Sequence, residues 1–270
     1  MTDLDGEHLS NEDFQVEVSD DEAVVRATID RPDKGNSMNQ NVMEGLQRSL
    51  SAADESDARV YVLRGADGKF CSGGDLTEMS RLIDASAQEY REYLSTISEV
   101  MQQMRDTDAL VVVAVEGYCL AGGMGLATAS DLLYAADDAT FGTPEKDSGL
   151  FPMQVMAPIM RGVKPKKGMD LMFTGDKIDA GEAEEIGLVS RLLPADDFDG
   201  ELDTLVDELV NSSPTMVSMG KEAYYAHEDM SFDEQVSYLK EMFALLAMSD
   251  DTREGMEARM MQKDPEWKLR

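Results

Sequence analysis

The stretch ALVVVAVEGYCLAGGMGLATASDLLYAA, residues 109–136, decides the fold class. Its opening run, residues 109–116, is almost continuously apolar and rich in valine, which predicts a buried strand. Four glycines within nine residues follow, and then the helix-forming LATAS and a short apolar run at residues 132–136. Glycine inside a helix costs about 1 kcal/mol relative to alanine, so the cluster indicates a turn that needs bare backbone. The order strand, glycine turn, helix and strand predicts a crossover unit with parallel pairing.

Strands and helices also alternate on the N-terminal side of this stretch. The pattern predicts, in order, a strand hairpin over residues 14–30, a loop over 31–39, a helix over 40–54, a strand over 58–65, a glycine-rich loop over 66–76 and an amphipathic helix over 85–104. After residue 151 the chain reads as helices with one short strand at 188–194. We therefore expect an α/β core over residues 1–197 and a helical region over residues 198–270. The polar residues 1–12 are expected to be frayed.

Acidic residues dominate the composition. The chain has 55 Asp and Glu against 24 Lys and Arg, a net charge of −31, and the acids are spread along its whole length. Self-repulsion of this size destabilises a compact fold at low salt, and it is screened at 1 M salt, where the Debye length is about 3 Å. We therefore expect the cytoplasm of a salt-loving cell. Nucleic acids and anionic membranes are disfavoured as partners, because neither supplies positive charge.

Other features of the sequence favour a soluble intracellular protein. The first 14 residues, MTDLDGEHLSNEDF, are polar and acidic, unlike a secretory signal. The longest purely apolar run has seven residues, whereas a membrane helix needs about 20. The two cysteines, Cys71 and Cys119, are too few for a disulfide framework, and we interpret them as small buried side chains.

Two glycine-rich loops, FCSGGDL (residues 70–76) and LAGGMG (residues 120–125), each follow a predicted parallel strand. Open α/β folds place their ligands at such positions. The second loop leads into a helix, whose first N–H groups have no partner inside the helix. One N–H group from each loop could bind a single oxygen and form an oxyanion hole. The alternative is a tight turn or close helix packing. A P-loop is disfavoured because GGMG lacks the Lys-Ser/Thr pair, and a dinucleotide loop because GYCLAGG does not match the spacing G-x-G-x-x-G.

Three motifs in order resemble the crotonase superfamily, that is, the enoyl-CoA hydratase/isomerase family. They are FCSGGDLTEM (70–79), VVVAVEGYCLAGGMGLATASDLLYAADDATFGTPE (111–145) and LMFTGDKIDAGEAEEIGLVSRLLP (171–194). The resemblance implies an α/β fold, a crotonase-like spiral of repeated ββα units. It also implies a helical C-terminal region that packs homotrimers, often paired into hexamers. The implied substrates are coenzyme A thioesters, so that no separate cofactor is expected; nor is a metal, since no Cys/His/Asp cluster has ligand spacing.

The resemblance also assigns catalytic roles. The thioester carbonyl would lie between the backbone N–H groups of Gly74 and Gly122, which agrees with the two-loop oxyanion hole. Hydratases of the family use two glutamates; FGTPE supplies one, Glu145, whereas Gly125 stands at the other position. One carboxylate is able to move a proton, but adding water also requires that the water be activated. We therefore expect a Δ3,Δ2-enoyl-CoA isomerase with Glu145 as its base. The alternatives are a 2-enoyl-CoA hydratase and an inactive member that binds acyl-CoA or a partner protein.

Further residues of the matched loops are expected to bind the substrate. Lys34, in the loop RPDKGNSMN, is a candidate contact for the coenzyme phosphates, and the main chain at Ser72 is a candidate contact for the adenine. The set is completed by Gly73, Asp75 and Gly123.

For several other charged residues, histidines and methionines, the sequence does not indicate a specific functional role. The cation-rich RGVKPKKG, residues 161–168, is either a solvated loop or a coenzyme contact. Asp147 is read as a loop acid, and the histidines His8 and His227 as non-catalytic. Five methionines fill the core or line an acyl pocket, core filling being favoured: Met38, Met79, Met124, Met153 and Met156.

Overall fold

The computed structural model describes residues 4–267, which form two sheets and the helices around them. The strands of this part of the chain are β1 (Phe14–Val18), β2 (Val24–Ile29), β3 (Val60–Gly65), β4 (Leu110–Val115), β5 (Tyr118–Leu120), β6 (Leu132–Ala136), β7 (Thr140–Gly142), β8 (Lys177–Asp179) and β9 (Arg191–Leu193). The α-helices are α1 (Gly6–Leu9), α2 (Gln40–Asp54), α3 (Leu76–Arg81), α4 (Ala87–Asp106), α5 (Gly122–Thr128), α6 (Met156–Gly162), α7 (Pro165–Thr174), α8 (Ala180–Glu185), α9 (Phe198–Val210), α10 (Pro214–His227), α11 (Phe232–Ala247) and α12 (Asp250–Met261).

The larger sheet has six strands in the order β1-β2-β3-β4-β6-β9. β1 and β2 form the predicted antiparallel hairpin, and every later pairing in this sheet is parallel. On the central strand β4, Val111, Val112, Val113 and Val115 are fully buried. α2, α9 and α10 pack against β2, β3 and β4. The crossover prediction for residues 109–136 is confirmed, because α5 connects β4 to its parallel neighbour β6.

A second sheet of three short strands was not predicted from the sequence. β5 pairs with β7 in parallel, and β7 pairs with β8 antiparallel. Each strand has only three residues, too few for a recognisable alternation of apolar and polar side chains. This sheet positions the functional site, because it brings the segment after β7 alongside the start of α5.

Most predicted elements are confirmed within a few residues. The helix over 40–54 is α2, and the Asn39 side chain fixes its start by accepting a hydrogen bond from the Val42 N–H. α4 begins two residues later than predicted, where Ser86 and Glu89 form a capping box. The strand predicted over 188–194 is reduced to β9, because the N–H groups of residues 188 and 189 bond to the Ala183 carbonyl at the end of α8.

The prediction that residues 1–12 are frayed is wrong for the described residues. Asp5 caps α1 by accepting a hydrogen bond from the Glu7 N–H. The Ser10 hydroxyl donates to the Gly6 carbonyl at 2.7 Å, and Asn11 pairs with Phe14. Side-chain hydrogen bonds hold this segment, so its polar composition does not indicate disorder. Residues 1–3 lie outside the described residues.

The chain beyond the last strand is helical, and its first helix belongs to the core. Phe198, Leu202, Leu205 and Val206 of α9 are buried together with side chains of the large sheet. The division at residue 197 therefore stays a prediction. Within residues 4–267, no helix is both long enough and apolar enough to cross a bilayer.

Candidate active site

An unusual backbone conformation at Ala121 sets the start of α5. Ala121 has φ 49° and ψ −126°, a conformation that residues with a side chain rarely adopt. Its N–H donates to the Gly142 carbonyl on β7 at 2.9 Å, and its carbonyl accepts from the Met124 N–H at 2.9 Å. The helix therefore begins abruptly at Gly122, and no side chain caps it. The Gly122 N–H, in the first turn, has no acceptor within the helix.

Met38 holds the other glycine loop in an extended conformation. Met38 pairs with Gly74 as in a parallel sheet: the Met38 N–H donates to the Gly73 carbonyl and the Asp75 N–H to the Met38 carbonyl, both at 2.8 Å. In such a pairing the N–H of the middle residue points away from the partner strand. The Gly74 N–H is therefore turned away from Met38.

The amides of Gly74 and Gly122 lie side by side. The Gly74 nitrogen is 3.6 Å from the position that a β-carbon on Gly122 would occupy. The Gly122 nitrogen is 3.3 Å from the equivalent position on Gly73. Within residues 4–267, neither N–H donates a hydrogen bond to a protein acceptor. Two fixed, unpaired donors this close together are able to bind one oxygen on which negative charge develops.

The loops approach so closely that β-carbons do not fit between them. On Gly73, which has φ 109°, a β-carbon would lie 2.8 Å from the Ala121 β-carbon. On Gly123 it would lie 2.9 Å from the Cys71 β-carbon, and on Gly122 2.7 Å from the Met38 ε-carbon. Close packing and presentation of free amides were alternatives in the sequence; in the structure Gly122 does both, whereas Gly73 and Gly123 allow the close packing and Gly74 presents a free amide.

Glu145 lies in the 3-10 helix Pro144–Ser148, which directly follows β7. The parallel pairing of β5 with β7 places Gly142, two residues before this helix, beside Leu120 and Ala121 at the start of α5. The Glu145 Oε2 atom is buried and has no hydrogen-bond partner. Burial raises the pKa of this carboxyl group. A partly buried carboxyl group with a raised pKa and one oxygen without a partner is suited to take up a proton and return it.

Val155 occupies the space beside Gly125. A β-carbon on Gly125 would lie 2.5 Å from the Val155 Cγ1 atom, and Val155 itself is buried between α5 and the chain before α6. Any side chain at position 125 therefore requires Val155 to move. This position presents an apolar contact instead of an acid. Asp147, on the same 3-10 helix as Glu145, is exposed.

Asp75 is buried, and other groups of the protein bind its carboxylate. Its Oδ1 accepts from the Thr77 N–H at 2.7 Å and so begins α3, and its Oδ2 lies 2.8 Å from the Arg31 Nη2. Burial alone would raise the pKa of Asp75, but the Arg31 guanidinium and the N–H groups at the start of α3 hold it below its usual value. Substrate contact by Asp75 stays a prediction; the observed bonds fix the end of the Gly74 loop.

Lys34 and Ser72 lie where the two loops before α2 and α3 meet. The Ser72 N–H donates to the Gly35 carbonyl at 3.0 Å, which ties the Lys34 loop to the glycine loop. Lys34 is exposed and makes no ion pair with a described residue. In a chain with a net charge of −31, an unpaired lysine beside the site is available to an anionic ligand. Substrate contacts by Lys34, Ser72, Gly73 and Gly123 stay predictions.

The cysteines are the small buried side chains that the sequence indicated. Cys71 and Cys119 are free thiols that are fully buried beside each other, in a short parallel bridge. Burial raises the pKa of Cys71 to about 12, so this thiol is protonated at neutral pH. His8 is exposed in α1, and His227 ends α10. Among the described residues, no group of three or more His, Cys, Asp or Glu could hold a metal ion.

A cavity of about 530 Å³ lies at the far end of α5 from Gly122. α4, α6 and α10 line it, with Thr128 from the end of α5. Met153, one of the methionines predicted either to line a pocket or to fill the core, also lines this cavity. Met38 instead contacts the glycine loops, and Met124 is fully buried in α5.

The contacts that Arg31 and Met38 make with the Gly74 loop were not predicted from the sequence. Both lie in the loop over residues 31–39, in which the sequence indicated a candidate phosphate contact at Lys34 and a core or pocket side chain at Met38. Their contacts reach Asp75 and Gly74, which follow much later in the chain. No local pattern signals such contacts, because they depend on how the loops meet in space.

Comparisons with known proteins identify the family of the chain. The sequence pattern of the family described as Enoyl-CoA hydratase/isomerase matches residues 19–270. The chain is 32% identical over 252 residues to "Probable enoyl-CoA hydratase echA8" of Mycobacterium bovis, covering 93% of this chain and 96% of that protein. It is 31% identical over 245 residues to a "Probable enoyl-CoA hydratase" of Rhizobium meliloti, covering 90% and 93%.

Solved structures agree with the sequence comparison. The enoyl-CoA hydratase of Mycobacterium smegmatis superimposes with a TM-score of 0.90 at 26% identity, covering 95% of this chain and 99% of that one. AtuE of Pseudomonas aeruginosa superimposes with a TM-score of 0.88 at 30% identity, covering 94% and 98%. The mixed α/β architecture with a helical C-terminal region is thus the crotonase fold predicted from the motifs. The chain belongs to the enoyl-CoA hydratase/isomerase family and is an enzyme of that family.

Proposed function

We propose that this enzyme moves the double bond of a 3-enoyl-CoA thioester to the 2-position, as a Δ3,Δ2-enoyl-CoA isomerase. One observation carries the proposal. The Glu145 Oε2 atom is buried without a hydrogen-bond partner in the segment that follows β7, the Ala121 N–H before α5 bonds to the Gly142 carbonyl at the end of β7, and Val155 fills the place where a side chain on Gly125 would lie. One proton-transfer group is sufficient for isomerisation, because the reaction removes and returns one proton.

The proposed reaction is balanced within the substrate. The thioester oxygen accepts hydrogen bonds from the Gly74 and Gly122 N–H groups. The Glu145 carboxylate takes a proton from C2 of the 3-enoyl group, and the electrons of that C–H bond form a dienolate whose negative charge rests largely on this oxygen. The protonated Glu145 then returns the proton to C4, and the double bond lies between C2 and C3. Each oxyanion donor contributes about 10²–10³-fold to the rate of such a reaction.

The proposal is tested by assaying 3-enoyl-CoA and 2-enoyl-CoA separately, in molar salt. We expect turnover of the 3-enoyl substrate and a loss of at least about 100-fold in the variant Glu145→Gln. Asp147→Asn, which removes an exposed acid from the same 3-10 helix, is the matched control and should retain the wild-type rate. An unchanged rate in Glu145→Gln would exclude Glu145 from the mechanism.

Hydration of 2-enoyl-CoA is the second candidate, since the relatives named above carry the name enoyl-CoA hydratase. If Gly125 marks a missing acid, Gly125→Glu alone should not create a hydratase, because its β-carbon would collide with Val155. The double variant Gly125→Glu with Val155→Ala removes this collision and should gain hydration of 2-enoyl-CoA. Wild-type turnover of 2-enoyl-CoA alone would favour the hydratase. Binding of an acyl-CoA without turnover of either substrate would favour the inactive family member.

We also propose that the protein assembles into homotrimers or hexamers through its last helices. α11 has no buried residue in the single chain and exposes Phe232, Val236 and Phe243. On α12, Met256 and Met260 are exposed as well. Apolar side chains this numerous on neighbouring helices are typical of a protein interface. Sedimentation in molar salt should give three or six chains, and a monomer would contradict the proposal.

The acyl-CoA substrate itself suggests one further contact. The unpaired Lys34 is proposed to bind a coenzyme phosphate. Lys34→Gln should then raise KM for acyl-CoA and leave kcat almost unchanged, since the phosphate is remote from the reacting carbons.

The proposed location is the cytoplasm of a salt-loving cell, supported by the excess of acids over the whole chain.

A further inference from the structure

Arg31 connects three segments of the site through one guanidinium group. Its side chain is 10% exposed. Nε donates to the Asp13 Oδ1 at 3.2 Å, Nη1 to the Ser37 carbonyl at 2.6 Å, and Nη2 to the Asp75 Oδ2 at 2.8 Å. The three acceptors come from the segment before β1, the loop before α2 and the loop before α3.

Two of these acceptors flank the pairing that directs the Gly74 N–H. Ser37 directly precedes Met38, and Asp75 directly follows Gly74. The guanidinium therefore holds both sides of the Met38–Gly74 pairing at adjacent residues. Gly74 has no side chain that could fix its own orientation, so the direction of its N–H depends on this pairing.

The third acceptor is itself held in place. The Asp13 Oδ2 accepts from the Asn39 side chain at 2.7 Å and from the Asn41 side chain at 2.8 Å. Burial alone would raise the pKa of Asp13, but these two amides and the Arg31 guanidinium together lower it. Both carboxylates that bind Arg31 are therefore ionised at neutral pH. The guanidinium reaches its three acceptors from three separate nitrogens in fixed directions, whereas a lysine ammonium carries all its donors on one nitrogen at the end of a flexible chain.

We propose that Arg31 is a positioning residue for the reaction, and that its guanidinium fixes the direction of the Gly74 N–H by clamping Ser37 and Asp75 on either side of the Met38–Gly74 pairing. This role rests on the proposed function of the Gly74 amide as a donor to the thioester oxygen. Arg31 does not touch the reacting atoms in this scheme. Without it, the loop shifts and the donor is misplaced when charge develops on the oxygen.

The kinetic test compares Arg31→Gln, Arg31→Lys and Asp75→Asn with the wild type. We expect kcat and kcat/KM to fall together, about 10- to 100-fold, in both Arg31 variants, because an interaction of the transition state is weakened. The double variant Arg31→Gln with Asp75→Asn should be about as slow as the slower single variant, since the two residues act as one unit. Arg26→Gln is the control: Arg26 lies on β2 and pairs with Asp203 at 2.7 Å, away from both loops.

A second measurement does not depend on activity. Hydrogen exchange of the Met38 and Asp75 amides, the two donors of the pairing, should be faster in Arg31→Gln and unchanged in Arg26→Gln. If the wild type turns over no enoyl-CoA, the proposed function fails, and the exchange experiment still tests the clamp. Unchanged exchange in Arg31→Gln would overturn the proposal, as would a stability loss with kcat preserved. Should Arg31→Gln not fold, Arg31→Lys and Asp75→Asn decide by the same two measurements.

Discussion

At the scale of single residues, Glu145 combines a functional advantage with a cost to stability. Its buried Oε2 has no partner, and burial raises its pKa. The folded state therefore favours the protonated form more than the unfolded state does. The stability contributed by this group is present at acidic pH and is lost as the pH rises through its folded pKa.

We expect Glu145→Gln to stabilise the protein near neutral pH, although the proposed mechanism predicts that it lowers the rate by at least about 100-fold. The free energy of unfolding should increase by about 1 kcal/mol. This is at the lower end of the cost of an unsatisfied buried polar group, because Glu145 is only half-buried. Chemical denaturation at pH 7 and at pH 4 measures it, and the advantage should shrink at the lower pH. A variant less stable than the wild type at pH 7 would contradict the interpretation. Because the proposed base must be ionised and its pKa is raised, the wild-type rate should decrease as the pH is lowered. The decrease should begin at a higher pH than the ordinary pKa of a glutamic acid would give.

Gly73 illustrates how one residue limits the approach of two loops. Gly73→Ala places a side chain at φ 109° and 2.8 Å from the Ala121 β-carbon. We expect a loss of about 2–3 kcal/mol in the free energy of unfolding and a lower kcat, because the Gly74 loop must move. Gly149→Ala is the control, since Gly149 also has positive φ, 71°, but no heavy atom within 4 Å of its β-carbon position. Equal losses in the two variants would argue against the close approach.

At the scale of elements, a buried ion pair fastens α10 to the large sheet. Lys221 of α10 lies 2.7 Å from Asp131, and its ammonium also donates to the Met104 and Ala109 carbonyls at 2.8 and 3.0 Å. The Tyr225 hydroxyl donates to the other oxygen of Asp131 at 2.7 Å. These bonds join α10 to the end of α4, to the chain before β4 and to the loop after α5.

Removing this lysine should loosen the helical region from the core. We expect Lys221→Ala to lower the free energy of unfolding by about 3–5 kcal/mol, because it leaves the Asp131 carboxylate buried without its cation. Lys240→Ala removes a lysine whose ion pair with Glu241 is exposed, and it should change stability by less than about 1 kcal/mol. Thermal denaturation of both variants in the same salt checks this. A similar small effect in both would show that the pair is not structurally important.

At the scale of the whole molecule, charge is the dominant property. A net charge of −31 on 270 residues opposes compaction by self-repulsion, which salt screens. We expect the melting temperature to rise steeply between about 0.1 and 1 M NaCl, where the Debye length falls from about 10 to about 3 Å. Sucrose at matched concentration is the control, since it acts by exclusion from the surface without screening charge. A melting temperature insensitive to NaCl would contradict this and would weaken the proposed salt-loving origin.

Local chemistry was sufficient to predict much of the main sheet and its first helices. The valines of β4, the spacing of the apolar residues on α2 and the hairpin before it are patterns within a few residues of each other. Elements held by distant partners were not predictable in this way. β5, β7 and β8 are three residues each and exist because they pair with one another, and α1 is held by side-chain hydrogen bonds that its polar composition did not reveal.

The features of the candidate site fall into the same two groups, those set by local residue type and spacing and those set by contacts between distant segments. The sequence by itself determined the family, the two glycine loops, the presence of Glu145 and the absence of a second acid at position 125, because each is a matter of residue type and spacing. Only the tertiary structure decided that the Gly74 and Gly122 amides lie side by side and unpaired, that Val155 fills the space next to Gly125, and that Arg31 bonds to Ser37 and Asp75. These contacts join segments that are far apart in the chain, so their geometry depends on how the loops pack. No pattern among neighbouring residues carries that information.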